Sequence, residues 1–233
     1  MNKVNILQVE LQMVRMSMRS DLESLLAYLD DIHEYNRKRK LKIEADYAKL
    51  TSELDKDDYS QAYEDTYERL KSDFPRVINH TTFISLYSVF ETTLKHIYQF
   101  VYEFKKGEQI IPLNKSSADY YRELKALIGL EAFQDFDGEF QDIERYKLVR
   151  NSLMHNSAVI KNSKNPDQLK AFLDTHLEKI TLNQAQTEFS ISESSFVSTF
   201  GNMCEKFLLK LFEKMRSSIR ITGVPIDNSS NIT

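Results

Sequence analysis

Arg76–Phe104 reads RVINHTTFISLYSVFETTLKHIYQFVYEF. Ile78, Phe83, Tyr87, Phe90, Leu94, Ile97 and Val101 line much of one face at helical spacing, which predicts a long amphipathic helix. Lys105-Lys106-Gly107 closes it: the cations suit the negative end of the helix dipole and the glycine is a stop. A helix of this length, so evenly apolar on one side, needs other helices around it. The stretch therefore argues for an all-helical fold.

The segments on either side follow the same period. Val4, Leu7, Leu11, Val14, Met18, Leu22, Leu25, Leu29 and Ile32 alternate steps of three and four, close to a coiled-coil seam. A basic cluster, Arg37-Lys38-Arg39-Lys40-Leu41-Lys42, follows, and Ile43, Tyr47, Leu50 and Leu54 continue at helical spacing. After a break near Asp55 to Asp58, Tyr59, Tyr63, Tyr67 and Leu70 mark another helix. Asp73-Phe74-Pro75 is expected to end it, because the residue before a proline resists the helical conformation. Residues 1–75 thus read as a helical extension, either a hairpin or a coiled coil.

Beyond Gly107, Ser116 or Ser117 can cap a helix through Tyr121, Leu124, Leu127 and Ile128 to Gly129. Another helix starts near Gly138 and carries Phe140, Ile143, Tyr146 and Leu148 towards Arg150. A loop at 161–166 and a short helix at 167–178 come next. Ile180 to Ile191 is the one strand region, with Leu182, Phe189 and Ile191 in a small hairpin. Ser192, Ser194 or Ser195 caps a last helix with Phe196, Phe200, Met203, Phe207, Leu211 and Met215, and the tail from Ser217 is polar. The predicted architecture is a helical bundle with at most one small hairpin.

Composition bounds the function. The 233 residues are 41% apolar and 28% charged, ordinary for a soluble globular chain. The net charge of −4 argues against a broad, non-specific nucleic-acid binder, though not against a small local RNA site. Cys204 is the single cysteine, which excludes an internal disulfide and fits a reducing cytosol. Its apolar neighbours favour a core thiol over a nucleophile. No leader is visible, and the longest uncharged run, residues 77–90, falls short of the roughly 20 apolar residues a membrane span needs. A soluble, cytoplasmic protein without membrane attachment is expected. His33, His80, His96 and His176 are scattered without zinc-ligand spacing, so no metal or other cofactor is expected. There is no glycine-rich phosphate loop and no serine elbow.

What carries chemistry is Arg150-Asn151-Ser152-Leu153-Met154-His155. Arginine holds phosphate through a fork of donors. Histidine exchanges protons near neutral pH. On an intact helix Arg150 and His155 lie about 140° apart, whereas Asn151 and His155 share a face. Either the helix breaks between them, or two copies of the chain share a cleft. The plainer alternative is a histidine at a helix end and an arginine in a surface ion pair.

Arg150-Asn151-x-x-x-His155, at the end of one helix and after another containing Ser88-Val89-Phe90-Glu91, resembles the HEPN superfamily and its Arg-x4-6-His motif. The resemblance covers residues 76–216. It implies a metal-independent endoribonuclease, acting as a homodimer, of the toxin–antitoxin or antiphage type. In such an enzyme the RNA 2′-hydroxyl is the nucleophile. His155 would move the protons, Arg150 would clamp the phosphate, and Asn151 would orient the histidine or bond the ribose. The products would carry 2′,3′-cyclic phosphate and 5′-hydroxyl ends. Glu91 reads either as a partner of Arg150 or as a plain exposed glutamate. Arg37, Lys38, Arg39 and Lys40 read either as an RNA backbone contact or as a solvated face. The expected partners are RNA, a second copy, and an antitoxin or regulatory protein. The same fold also fits a non-catalytic interaction module that regulates a partner nuclease or nucleotidyltransferase.

Overall fold

The computed structural model describes residues 3–49, 63–108, 115–129 and 133–221. Its helices are α1 (Lys3–Ala48), α2 (Phe74–Lys106), α3 (Ser117–Ile128), α4 (Asp137–His155), α5 (Pro166–Asp174) and α6 (Ser194–Ile221). A two-stranded antiparallel sheet, β1 (Ile180–Leu182) and β2 (Phe189–Ile191), completes the described elements. The fold is all-α with one small hairpin, as the periodicity predicts. None of the described helices is long and apolar enough to cross a membrane.

One local reading is corrected. The helix preceding residue 75 does not stop at the proline. A π-helical turn, Arg69–Asp73, runs directly into α2, and Phe74 is helical at φ −63°, ψ −50°. The wider turn pairs the Phe74 N–H with the Arg69 carbonyl five residues back. It absorbs a proline that lacks its own N–H and would clash in an ordinary turn. The α6 backbone is helical to Ile221, past Ser217, where the polar tail is expected to begin. The break expected near Asp55 to Asp58 lies outside the described residues, as do Leu50, Leu54 and Tyr59.

The chain divides into two compact units, each assembled from separated segments. The first comprises 1–19, 90–140 and 205–233. Its core is aromatic. The Tyr121 ring stacks on Phe140 at 4.0 Å, and Phe207 packs against Phe90, Phe136 and Phe140. The Tyr121 hydroxyl donates to Asp137 (2.9 Å), which also accepts from Lys125 (2.7 Å). Ser116 caps α3 in a reciprocal box with Asp119, satisfying donors the first turn leaves open.

The second unit comprises 20–89 and 141–204. Phe83 sits among Phe196, Phe200 and Tyr146, and Tyr87 stacks on Phe200 with the rings 4° from parallel. Leu22, Leu29, Leu86, Val149, Leu173 and Cys204 are fully buried around them. Burial pushes the Cys204 thiol well up, in keeping with a core role. At Gly201 a side chain would meet Leu26 of α1 at 3.1 Å and Leu86 of α2 at 3.3 Å, so the missing Cβ lets these helices approach α6.

Two side chains of α2 tie the hairpin to the helices. Asn79, fully buried, donates to the Ile191 carbonyl (3.0 Å), and its oxygen meets His33 Nε2 (2.8 Å). His80 Nε2 accepts the Ile191 N–H (3.1 Å). Both backbone groups of Ile191 are thereby satisfied away from water, where an unmet one would cost free energy.

Candidate functional site

Helix α4 is continuous through both motif residues and ends on His155. The break that could have brought Arg150 and His155 together within one chain is absent. Their side chains leave the helix about 140° apart, and only Asn151 and His155 share a face.

The chain reverses immediately after His155. Ser157 (φ 50°) and Ala158 (φ 65°) are consecutive left-handed residues without being glycine. Each costs about 1 kcal/mol in that region, so the surrounding structure must impose the turn. The Ala158 N–H returns to the Ser152 carbonyl (3.1 Å). The next residues join the sheet edge: the Phe189 N–H donates to the Ala158 carbonyl (3.2 Å) and the Ile160 N–H to the Thr187 carbonyl (2.8 Å). His155 is held at the tip of this reversal, exposed to solvent. Strain of this kind concentrates at functional sites.

Arg150 is half-buried and positioned. Its Nη1 donates to Asn151 Oδ1 (3.0 Å), and its guanidinium lies 5.8 Å from the centroid of the buried Tyr87 ring. The Tyr87 hydroxyl makes a long contact to Glu144 (3.5 Å). The structure therefore joins Arg150 with Asn151, and sets His155 one turn further along the Asn151 face. Glu91 is half-buried on α2, one turn beyond Tyr87.

The basic cluster is part of uninterrupted α1. Arg37 grips Glu34 with two bonds (2.7 and 2.8 Å) and Lys38 reaches the same carboxylate (3.3 Å). Those bonds hold the Glu34 carboxyl down at about 2. The Lys40 ammonium lies 4.9 Å from the Tyr67 ring, and Tyr67, Tyr63 and Tyr47 stack in series at 5.6 and 4.2 Å. These rings use their faces on one another. Arg39 is exposed, like Arg37 and Lys38.

A groove of about 420 Å³ lies beside the end of α4, and sequence reasoning missed it. Arg76 and His80 of α2 line it, with Leu153, Ser157, Thr181 and Ser190 opposite. The His80 imidazole is pushed down to about 4 by burial and then by the Arg76 cation. The available signal was the four-residue step from Arg76 to His80, which puts both on one helix face. Among the described residues no three histidine, cysteine or acidic side chains gather as metal ligands.

Comparison of the chain with protein-family models, curated proteins and solved structures returned no match.

Proposed function

We propose that the chain is a metal-independent endoribonuclease of the HEPN type that works as a homodimer in a toxin–antitoxin or antiphage setting. The observation that carries the reading is the contrast within one unbroken helix. Arg150 is packed on Tyr87 and bonded to Asn151, while His155 stands exposed at a strained reversal. A positioned guanidinium suits charge stabilisation on a phosphoryl group, and an accessible imidazole suits proton transfer.

The angle between them supports a cleft shared by two chains, the arginine of one acting with the histidine of the other. The RNA 2′-hydroxyl loses its proton to His155 and attacks the adjacent phosphorus. The bond to the 5′-oxygen breaks, and that oxygen is protonated as it leaves. A 2′,3′-cyclic phosphate and a 5′-hydroxyl result.

Mixing inactive variants tests this directly. Arg150→Ala and His155→Ala should each lower cleavage of RNA by about 10²-fold or more. Refolded together, they should regain about one quarter of the wild-type sites, since half the dimers are mixed and one of their two clefts is intact. No recovery from a mixture shown to exchange subunits would refute the shared cleft. Wild-type protein that cuts no RNA and is harmless on expression would refute the enzyme.

One observation favours the second reading, an interaction module. Ile6, Val9, Met13 and Met16 are exposed at steps of three and four along α1. A row of this kind commonly marks a protein-binding surface. A stable complex indifferent to Arg150→Ala, with no nuclease activity, would establish it.

A further inference from the structure

The groove beside α4 is a built polar site that the nuclease chemistry does not use. Its wall on α2 is formed by Arg76 and His80, about 40° apart around the helix axis. His80 is fixed in orientation, because Nε2 accepts the Ile191 N–H (3.1 Å). A neutral imidazole that accepts at one nitrogen carries its proton on the other. Nδ1–H is therefore the ring's remaining donor, and it has no hydrogen-bond partner among the described residues.

Arg76 is half-exposed and reaches Asp73 through a single contact of 3.3 Å. An exposed pair of that kind contributes little, so the guanidinium is free to turn to a ligand. Across the groove, Thr181 and Ser190 are register partners of the hairpin. Their hydroxyls, and that of Ser157, make no hydrogen bond among the described residues. One cation, one imidazole and three hydroxyl-bearing residues thus line a single space. The Glu188 carboxylate lines the same space. It cannot face a phosphate, but it accepts well from sugar hydroxyls.

We propose that this groove binds a phosphate ester carrying adjacent sugar hydroxyls, about one nucleotide in size. Arg76, His80, Thr181 and Ser190 take the phosphate and Glu188 takes the hydroxyls. The volume lies in the range of small-ligand sites. The ligand is a free nucleotide or one unit of an RNA strand, since the two present the same chemistry.

The test uses the full chain carrying His155→Ala, which keeps RNA intact. The probes are adenosine 5′-monophosphate, a six-nucleotide single-stranded RNA, and inorganic phosphate. The readout is the NMR shift of the Ser190 and Ile191 amides and of the His80 ring. Saturable shifts are expected with at least one of the first two probes. Arg76→Ala should weaken them at least tenfold, with an unchanged melting temperature. Glu188→Gln should weaken binding of the sugar-bearing probe without weakening that of inorganic phosphate. Response to both sugar-bearing probes identifies a free-nucleotide site, and response to RNA alone identifies a strand contact. No saturable shift with either, or identical shifts in Arg76→Ala, overturns the proposal. Because no arm reads cleavage, failure here is distinct from failure of the nuclease reading.

Discussion

Two arginine–histidine pairs on the described helices, Arg76 with His80 and Arg150 with His155, differ in geometry by one residue of spacing. Arg76 and His80 are four apart and share a face. Arg150 and His155 are five apart and do not. The roles within each pair are also reversed. In the first, the histidine is pinned by a backbone N–H and the arginine is half-exposed. In the second, the arginine is packed on an aromatic ring and the histidine is exposed. A pinned neutral imidazole makes a fixed donor, suited to holding a ligand. An exposed imidazole is suited to moving protons. Composition alone would rank the two pairs equally; their supports separate them.

The comparison breaks most sharply at His155. His155→Ala should lower RNA cleavage by about 10²–10⁴-fold, the usual share of a general acid–base group. Folding should be unchanged by circular dichroism, since the side chain is exposed. A variant that keeps full activity would move the chemistry elsewhere.

Tyr87 is the support of the second pair. Tyr87→Ala removes a fully buried ring and should cost about 3–5 kcal/mol in urea unfolding. Tyr87→Phe keeps the face under Arg150 and loses the hydroxyl with its long contact to Glu144, so cleavage should stay near wild type. Equal losses in both variants would show that the hydroxyl, not the ring, holds the site.

The first pair is sharpened by pH. His80 is held at about 4 when folded, against an ordinary value near 6.5. Between those values the unfolded chain binds the extra proton and the folded chain does not, so stability falls as pH falls from about 6.5 to about 4. The full loss is on the order of 3 kcal/mol, and His80→Gln should flatten that part of the stability–pH curve. A slope unchanged by the substitution would place the titration elsewhere.

The smallest effect concerns the reversal after His155. Ser157→Gly relieves a left-handed residue but loosens the unfolded chain, for a net gain of about 0.5 kcal/mol. Cleavage should fall if the strained turn positions His155. A rise in melting temperature with unaltered cleavage would make the strain incidental.

Most of the helices are legible in the sequence because burial on one face writes a period into it. Leu22, Leu29, Phe83, Tyr87, Phe90 and Phe200 each fall on a predicted stripe and are buried. Of the two serines the sequence offers as the cap of α3, Ser116 is the one used. Leu182, Phe189 and Ile191 mark the hairpin. Pro75 misleads, since a local rule sees the missing N–H but not the π turn that accommodates it. Arg150, Asn151 and His155 are legible as chemistry because their spacing is short and falls at a helix end. The Arg76 groove is not, because its walls come from α2, the turn after α4 and the hairpin, which are remote along the chain.

The sequence by itself determined the helical class, the helix faces, and the angle that keeps Arg150 and His155 apart on one helix. These follow from periodicity and helix geometry, which are local. Tertiary structure decided that α4 stays intact through His155, that Tyr87 carries Arg150, and that Ile191 fixes His80. Each depends on contacts between residues far apart in the chain, whose energy no local pattern records.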